Sequence, residues 1–241
     1  NRDELISRAS EFPPIVHDGP PRWVAPKDSE RGGTWMGANE HGVIACLLNM
    51  YMPGESLLPD PKHPLPTRGD IIPNLLQRGP AKTGIDWLFN VFDPARYPSF
   101  SVHVVWPEGS SRFIWRRNGG IETETVKGEW YVYSSSGWDS QDVTQWREDR
   151  FAQWLREGAL RKGTLPDFHL IQEAGHEDRS PLMRREWSST RSITQVRLNY
   201  RDHRVEMRYW ARPTPRSEAP HATESIALND EALAGSAKAV S

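Results

Sequence analysis

Two hydrophobic periods occupy separate stretches of this chain, and that segregation constrains its fold more than any other feature. Over residues 100–135 the apolar residues alternate: Val102, Val104 and Trp106, then Phe113 and Trp115, then Ile121, then Trp130 and Val132. Turn sequences separate the runs at Pro107-Glu108-Gly109, Asn118-Gly119-Gly120 and Lys127-Gly128. A period of two with tight turns predicts four short antiparallel strands. Alternation returns at Val196, Leu198 and Tyr200 and at Val205, Met207 and Tyr209, around a turn near Arg201-Asp202-His203. Between these stretches the period is that of a helix. Val143, Trp146, Phe151, Trp154, Leu155 and Ala159 form one face over residues 140–160, with Asp139 or Ser140 as N-cap and Gly158 or Gly163 as stop. Residues 68–92 predict two shorter helices broken near Gly79-Pro80, carrying Ile71, Ile72, Leu75 and Leu76, then Trp87, Leu88, Val91 and Phe92.

Nearer the start, Thr34-Trp35-Met36-Gly37 and the apolar run 43–48 flank Asn39-Glu40-His41-Gly42. This predicts a hairpin whose second strand does not alternate and is therefore buried on both faces. Residues 53–66 are proline-rich and predict a loop. Residues 213–241 are rich in Pro, Ser and Ala and predict a disordered tail, or at most a weak helix around Asp230–Ala239, after a domain of residues 1–212. Segregated runs of strands and helices indicate an α+β fold rather than a parallel βαβ one. Two sheets stacked between helical layers account for strands that are apolar on both faces.

Thirty basic residues against 32 acidic ones leave a net charge of -2, so no strong basic field exists to attract nucleic acid or anionic lipid. No stretch approaches the ~20 apolar residues of a membrane helix. The single cysteine, Cys46, excludes an internal disulfide and fits a reducing compartment, so the chain reads as cytoplasmic. Cys46 lies inside an apolar run, where a thiol behaves as a small buried hydrophobe and not as a nucleophile. Walker, Rossmann, HExxH and G-x-S-x-G patterns are absent, and the eight histidines do not cluster at ligand spacing. No cofactor or metal is expected.

Asn1-Arg2-Asp3-Glu4, Pro26-Lys27-Asp28, Gly32-Gly33-Thr34-Trp35-Met36-Gly37 and Gly42-Val43-Ile44-Ala45-Cys46-Leu47-Leu48-Asn49 follow one another at a specific spacing. Together they resemble the NRDE (transport and Golgi organisation protein 2) family. Ser135-Ser136-Gly137-Trp138, the Trp146-Arg147 pair and Ser189-Thr190-Arg191-Ser192-Ile193-Thr194 resemble its later segments. The resemblance implies an N-terminal nucleophile (Ntn) hydrolase fold, an αββα sandwich. It also implies a cysteine nucleophile whose own α-amine serves as base, at a pKa of about 7.7–8.0. That cysteine is expected upstream of residue 1 on a first strand, so the chain as given is expected to be inactive.

On this resemblance Asp3 orients the nucleophile's amine and Asn49 donates to an oxyanion hole. Ser136 takes the place of an asparagine that supplies the second donor, and its hydroxyl is shorter and less rigid. Arg191 steadies the nucleophile or binds a substrate carboxylate. Without the resemblance, Asp3 is a turn or capping aspartate, Asn49 a strand terminator and Arg191 a sheet-edge arginine. Two functions follow: an amidohydrolase acting on a C–N amide or related acyl bond of a small molecule, or a non-catalytic binding or trafficking protein for a lipid, haem or acyl-carrier ligand.

Overall fold

The structure is a computed structural model that describes residues 1–52, 55, 66–158 and 164–239. The predicted loop at 53–66, apart from residues 55 and 66, and the helix-end residues Ala159 and Gly163 lie outside them. Among the described residues eleven strands form two mostly antiparallel sheets. The larger runs in chain order through β2 (Phe12–His17), β3 (Trp23–Lys27), β4 (Met36–Asn39), β5 (Ile44–Asn49), β6 (Phe100–Trp106), β7 (Gly109–Arg116) and β8 (Gly120–Thr125). The smaller holds β1 (Arg2–Leu5), β9 (Ser188–Asn199), β10 (Arg204–Ala211) and β11 (Ala222–Ala227), in the order β1-β9-β10-β11. Helices are α1 (Ile71–Leu76), α2 (Ala81–Asn90), α3 (Ser140–Arg156), α4 (Leu165–His169) and α5 (Asp230–Ala239). The fold class is α+β, as the two periods predict.

The chain divides into two compact units. One comprises Asn1–Ser10, Glu129–Gln195 and Arg208–Thr223; the other comprises Glu11–Gly128, Val196–Met207 and Glu224–Ser241. In the second unit the strand alternation sorts side chains to two faces of the seven-stranded sheet. Trp23, Ala25, Ala45, Leu47, Phe100, Val102 and Val104 point to one face, where Ile72, Leu75, Leu76 and Leu88 of α1 and α2 cover them. Val24, Ala38 and Ile44 point to the other, against Val205, Met207, Ile226 and Leu228. This unit is therefore layered: helices, the larger sheet, then the nearer ends of β9, β10 and β11. Each large side chain fully withdrawn from water here, such as Phe100 or Leu76, contributes about 1.5–3 kcal/mol before chain entropy is counted. The first unit has its own cluster, Phe151, Trp154 and Phe168, with Val132, Leu155 and Ile171 against it.

Several elements depart from expectation. The meander has three strands and not four. After Gly128 (φ 123°) the chain leaves the larger sheet, and Val132 packs on Phe151, Trp154 and Phe168 instead. Trp130, apolar in the alternation, is exposed. β5 is fully buried on the Ala45 and Leu47 face only; Ile44, Cys46 and Leu48 opposite are half-buried. Residues 213–239 hold β11, which was not expected, and α5, at the position of the weak helix that the sequence allowed. On α3 the inward side chains are Val143, Arg147, Phe151 and Trp154, so Arg147 takes the place predicted for Trp146.

The Gly32-Gly33 pair has a geometric cause. Gly32 sits at φ 75°, the left-handed region that costs a residue with a Cβ about 1–2 kcal/mol. A Cβ on Gly33 would lie 2.5 Å from the carbonyl carbon of Gly69, so the two backbones are in direct contact. The Thr34 amide donates to the Gly69 carbonyl at 3.0 Å and fixes that contact. Gly33→Ala is expected to lower stability by about 1–3 kcal/mol, the usual cost of overpacking. Urea denaturation checks it: an unchanged midpoint would mean that the two turns separate freely.

Among the described residues no helix is long and apolar enough to cross a membrane.

Candidate functional site

The N-terminal segment enters the smaller sheet at its edge. β1 is four residues long and pairs antiparallel with β9, Asp3 opposite Thr190 and Arg2 opposite Ser192. Arg191 therefore opposes no residue of β1. It is the extra residue of a bulge, a device that re-aims side chains at a strand edge. Its own side chain is buried and its Nη1 donates to the Ile6 carbonyl at 2.9 Å, holding the turn that follows β1.

Asp3 is held through both of its carboxylate oxygens. Its Oδ1 accepts from the Thr190 hydroxyl at 2.6 Å, and its Oδ2 accepts from Arg147 Nη2 at 3.1 Å. Thr190 is fixed in turn, since its oxygen accepts from the Met183 amide at 2.9 Å. Arg147 reaches Asp3 from α3 and spends its remaining donors on three further groups. Nε donates to the Arg179 carbonyl at 3.0 Å, Nη1 to the Ser134 hydroxyl at 2.9 Å, and Nη2 also to the Ser180 carbonyl at 3.2 Å. With its side chain 10% exposed, this guanidinium is the hub that joins β1, α3, the Ser134 segment and the 179–180 loop. Asn1 is tied beside it: Nδ2 donates to the His169 carbonyl at 3.1 Å and to the Pro181 carbonyl. His169 is half-buried, and burial first among the causes pushes its pKa down to about 3, with Arg147 adding to the effect. It is therefore neutral at pH 7.

Ser136 belongs to the same unit but to a different arginine. Its hydroxyl donates to the Trp138 carbonyl at 2.5 Å and accepts from the Trp138 amide at 3.2 Å and from Arg185 Nη2 at 3.3 Å. Arg185 lies over the Trp138 ring at 4.9 Å. The Ser136 proton is thus committed within its own turn. Asn49 belongs to the other unit, as the last residue of β5 opposite Phe100. Among the described residues its side-chain amide has no hydrogen-bond partner.

So the predicted residues Asp3, Ser136 and Arg191 lie in one unit and Asn49 in the other. Arg147 and Thr190 carried no assigned role from the sequence, although both fall inside the segments that resemble the family's pattern. Thr190 immediately precedes Arg191, and Arg147 follows Trp146. Cys46, in β5, is half-buried, and burial pushes its thiol pKa up, which suits an inert side chain. Among the described residues no three of His, Cys, Asp and Glu gather closely enough to hold a metal ion.

A family model described as transport and Golgi organisation 2 matches residues 1–208. No curated protein matches the chain.

Proposed function

The chain belongs to the transport and Golgi organisation 2 family, and on that premise we propose an Ntn-type amidohydrolase that cleaves a C–N amide or related acyl bond of a small molecule. The observation that carries the reading is the Asp3 carboxylate, held through both oxygens at the head of the chain by Thr190 and Arg147. A carboxylate fixed in this way can accept a hydrogen bond from an ammonium or amine without moving. An Ntn nucleophile needs that from its neighbour, because the α-amine that takes the proton must stay aimed at the thiol. The nucleophile in this reading is a cysteine contributed from chain preceding Asn1. Arg147 and Thr190 act as positioning residues through Asp3. Arg191 steadies the turn after β1, and the oxyanion role that the resemblance gives to Asn49 falls to a residue of the other unit and is no part of this centre. Ser136 is the weaker part of the scheme, since its proton is engaged by Trp138.

The test joins a cysteine-headed segment ahead of Asn1 and assays a panel of N-acyl amides. Turnover should depend on that cysteine, and Asp3→Asn should lower kcat by about a hundredfold with KM little changed, the cost of a misplaced reacting group. Equal turnover by the 241-residue chain alone, or by a Cys→Ala form of the extended one, would sink the reading. Silence in every form, with tight binding of a lipid, haem or acyl-carrier probe, would replace it with the binding-protein function.

A further inference from the structure

Pro26-Lys27 and Gly32-Gly33-Thr34 have no part in the site around Asp3, yet they wall a cavity of about 240 Å³ in the second unit. Gly33 closes one side through its contact with Gly69, which brings the start of α1 and its Asp70 to the cavity rim. A second wall is flat. His17 and Trp23 oppose each other on β2 and β3, and their rings stack at 3.7 Å with 3° between planes. His17 stays neutral, since burial and then Lys27 lower its pKa. Pro26 and Pro73 add apolar surface.

Two opposite charges line this cavity without meeting. Among the described residues neither Lys27 nor Asp70 has an ion-pair partner, and the Asp70 carboxylate forms no cap to α1. Asp70 is partly buried, which raises its pKa. Its carboxylate faces the cavity with no cation beside it among the described residues, so a bound cation would complement it. The volume falls below the ~300–1,000 Å³ of sites for drug-sized molecules, so the ligand is small.

We propose that this cavity binds a small zwitterion, a free α-amino acid with a flat apolar side chain, its carboxylate on Lys27, its ammonium on Asp70 and its side chain against Trp23 and His17. The two charges select against molecules that carry one only, because each leaves a protein charge unanswered. A peptide N-terminus lacks the carboxylate and a peptide C-terminus lacks the ammonium, so free amino acid is the preferred form.

The experiment is an NMR titration of the whole chain with L-phenylalanine, using 3-phenylpropionate and phenylalaninamide as single-charge controls. L-phenylalanine should move the His17 ring, Lys27, Gly33 and Asp70 resonances saturably. Each control should bind at least about tenfold more weakly, a difference of about 1.4 kcal/mol. Lys27→Met and Asp70→Asn should each weaken L-phenylalanine by a similar factor. Lys27 is exposed and Asp70 makes no cap, so both variants should keep the remaining spectrum. The proposal fails if no saturable shift occurs at about 10 mM, roughly ten times the ~1 mM Kd of a weak ligand. It fails equally if 3-phenylpropionate binds as well as L-phenylalanine, or if both variants bind as the parent does. The titration reads a different unit from the one that holds Asp3, so neither result depends on amide hydrolysis.

Discussion

Replacing Arg147 with methionine is expected to cost about 3–5 kcal/mol, the penalty for breaking a buried ion pair and leaving its partner behind. An exposed pair would be worth under about 1 kcal/mol, so burial decides the size of the effect. The Arg147 and Asp3 side chains are 10% and 24% exposed, which places the pair well inside. The methionine would fill the volume of the arginine stem but answer none of its acceptors. The Asp3 carboxylate, the carbonyls of Arg179 and Ser180 and the Ser134 hydroxyl would all lose a donor together. Lysine should rescue only part of the loss, because one ammonium cannot reproduce a planar fork that reaches four groups. Asp3→Asn, which leaves Arg147 its other three acceptors, should cost less, about 1.5–3 kcal/mol, the range for hydrogen bonds to charged groups. Urea unfolding of the three variants gives the order. A loss below about 1 kcal/mol for Arg147→Met would show that the guanidinium is solvated and that the hub is not structural.

That hub also marks where the sequence stops being legible. On α3 a helical face was readable from Val143, Phe151 and Trp154, which are buried, but apolarity alone favoured Trp146 over Arg147 for the inward position. Arg147 turns inward because Asp3, 144 residues away in the chain, and two loop carbonyls receive its charge. No local period encodes those partners. The three strands β1, β2 and β3 were missed for a related reason. Pro13, Pro14 and Pro26 interrupt the alternation that would reveal β2 and β3. β2 tolerates its prolines because it is the edge of the larger sheet, where one row of amides needs no partner. β11 offers only Ile226 as a buried apolar residue within the strand, too little for a period to show. The strong signals lay where the periodic apolar residues are buried together, in β6, β10 and α1. Among the site residues, the resemblance picked out Asp3, Asn49, Ser136 and Arg191; three of them share a unit, Asn49 lies in the other, and Asp3 is the one held through both of its oxygens.

Acidification is expected to destabilise both units through one histidine in each. His103 on β6 is buried with its Nε2 3.3 Å from the Ser101 hydroxyl, and burial, then Arg112, lowers its pKa to about 3. His169 in the other unit is lowered to about 3 as well, again chiefly by burial. An unfolded chain protonates its histidines near pH 6.5, so from there downward it binds protons that the folded chain refuses. Stability from these groups is therefore complete above about pH 6.5 and is lost as pH falls towards 3. Each histidine removes up to about 1.4 kcal/mol per pH unit inside that window. Asp70 acts in the opposite sense, because its raised pKa makes the folded state the better proton acceptor. It does so only near the carboxylate range, below most of the histidine window. Urea midpoints measured between about pH 7.5 and 4.5 should fall steeply below 6.5, and His103→Gln, which keeps a polar group near Ser101, should flatten the slope for its unit while His169→Gln flattens it for the other. A midpoint independent of pH over that interval would mean that water reaches both rings and that neither is held neutral by its surroundings.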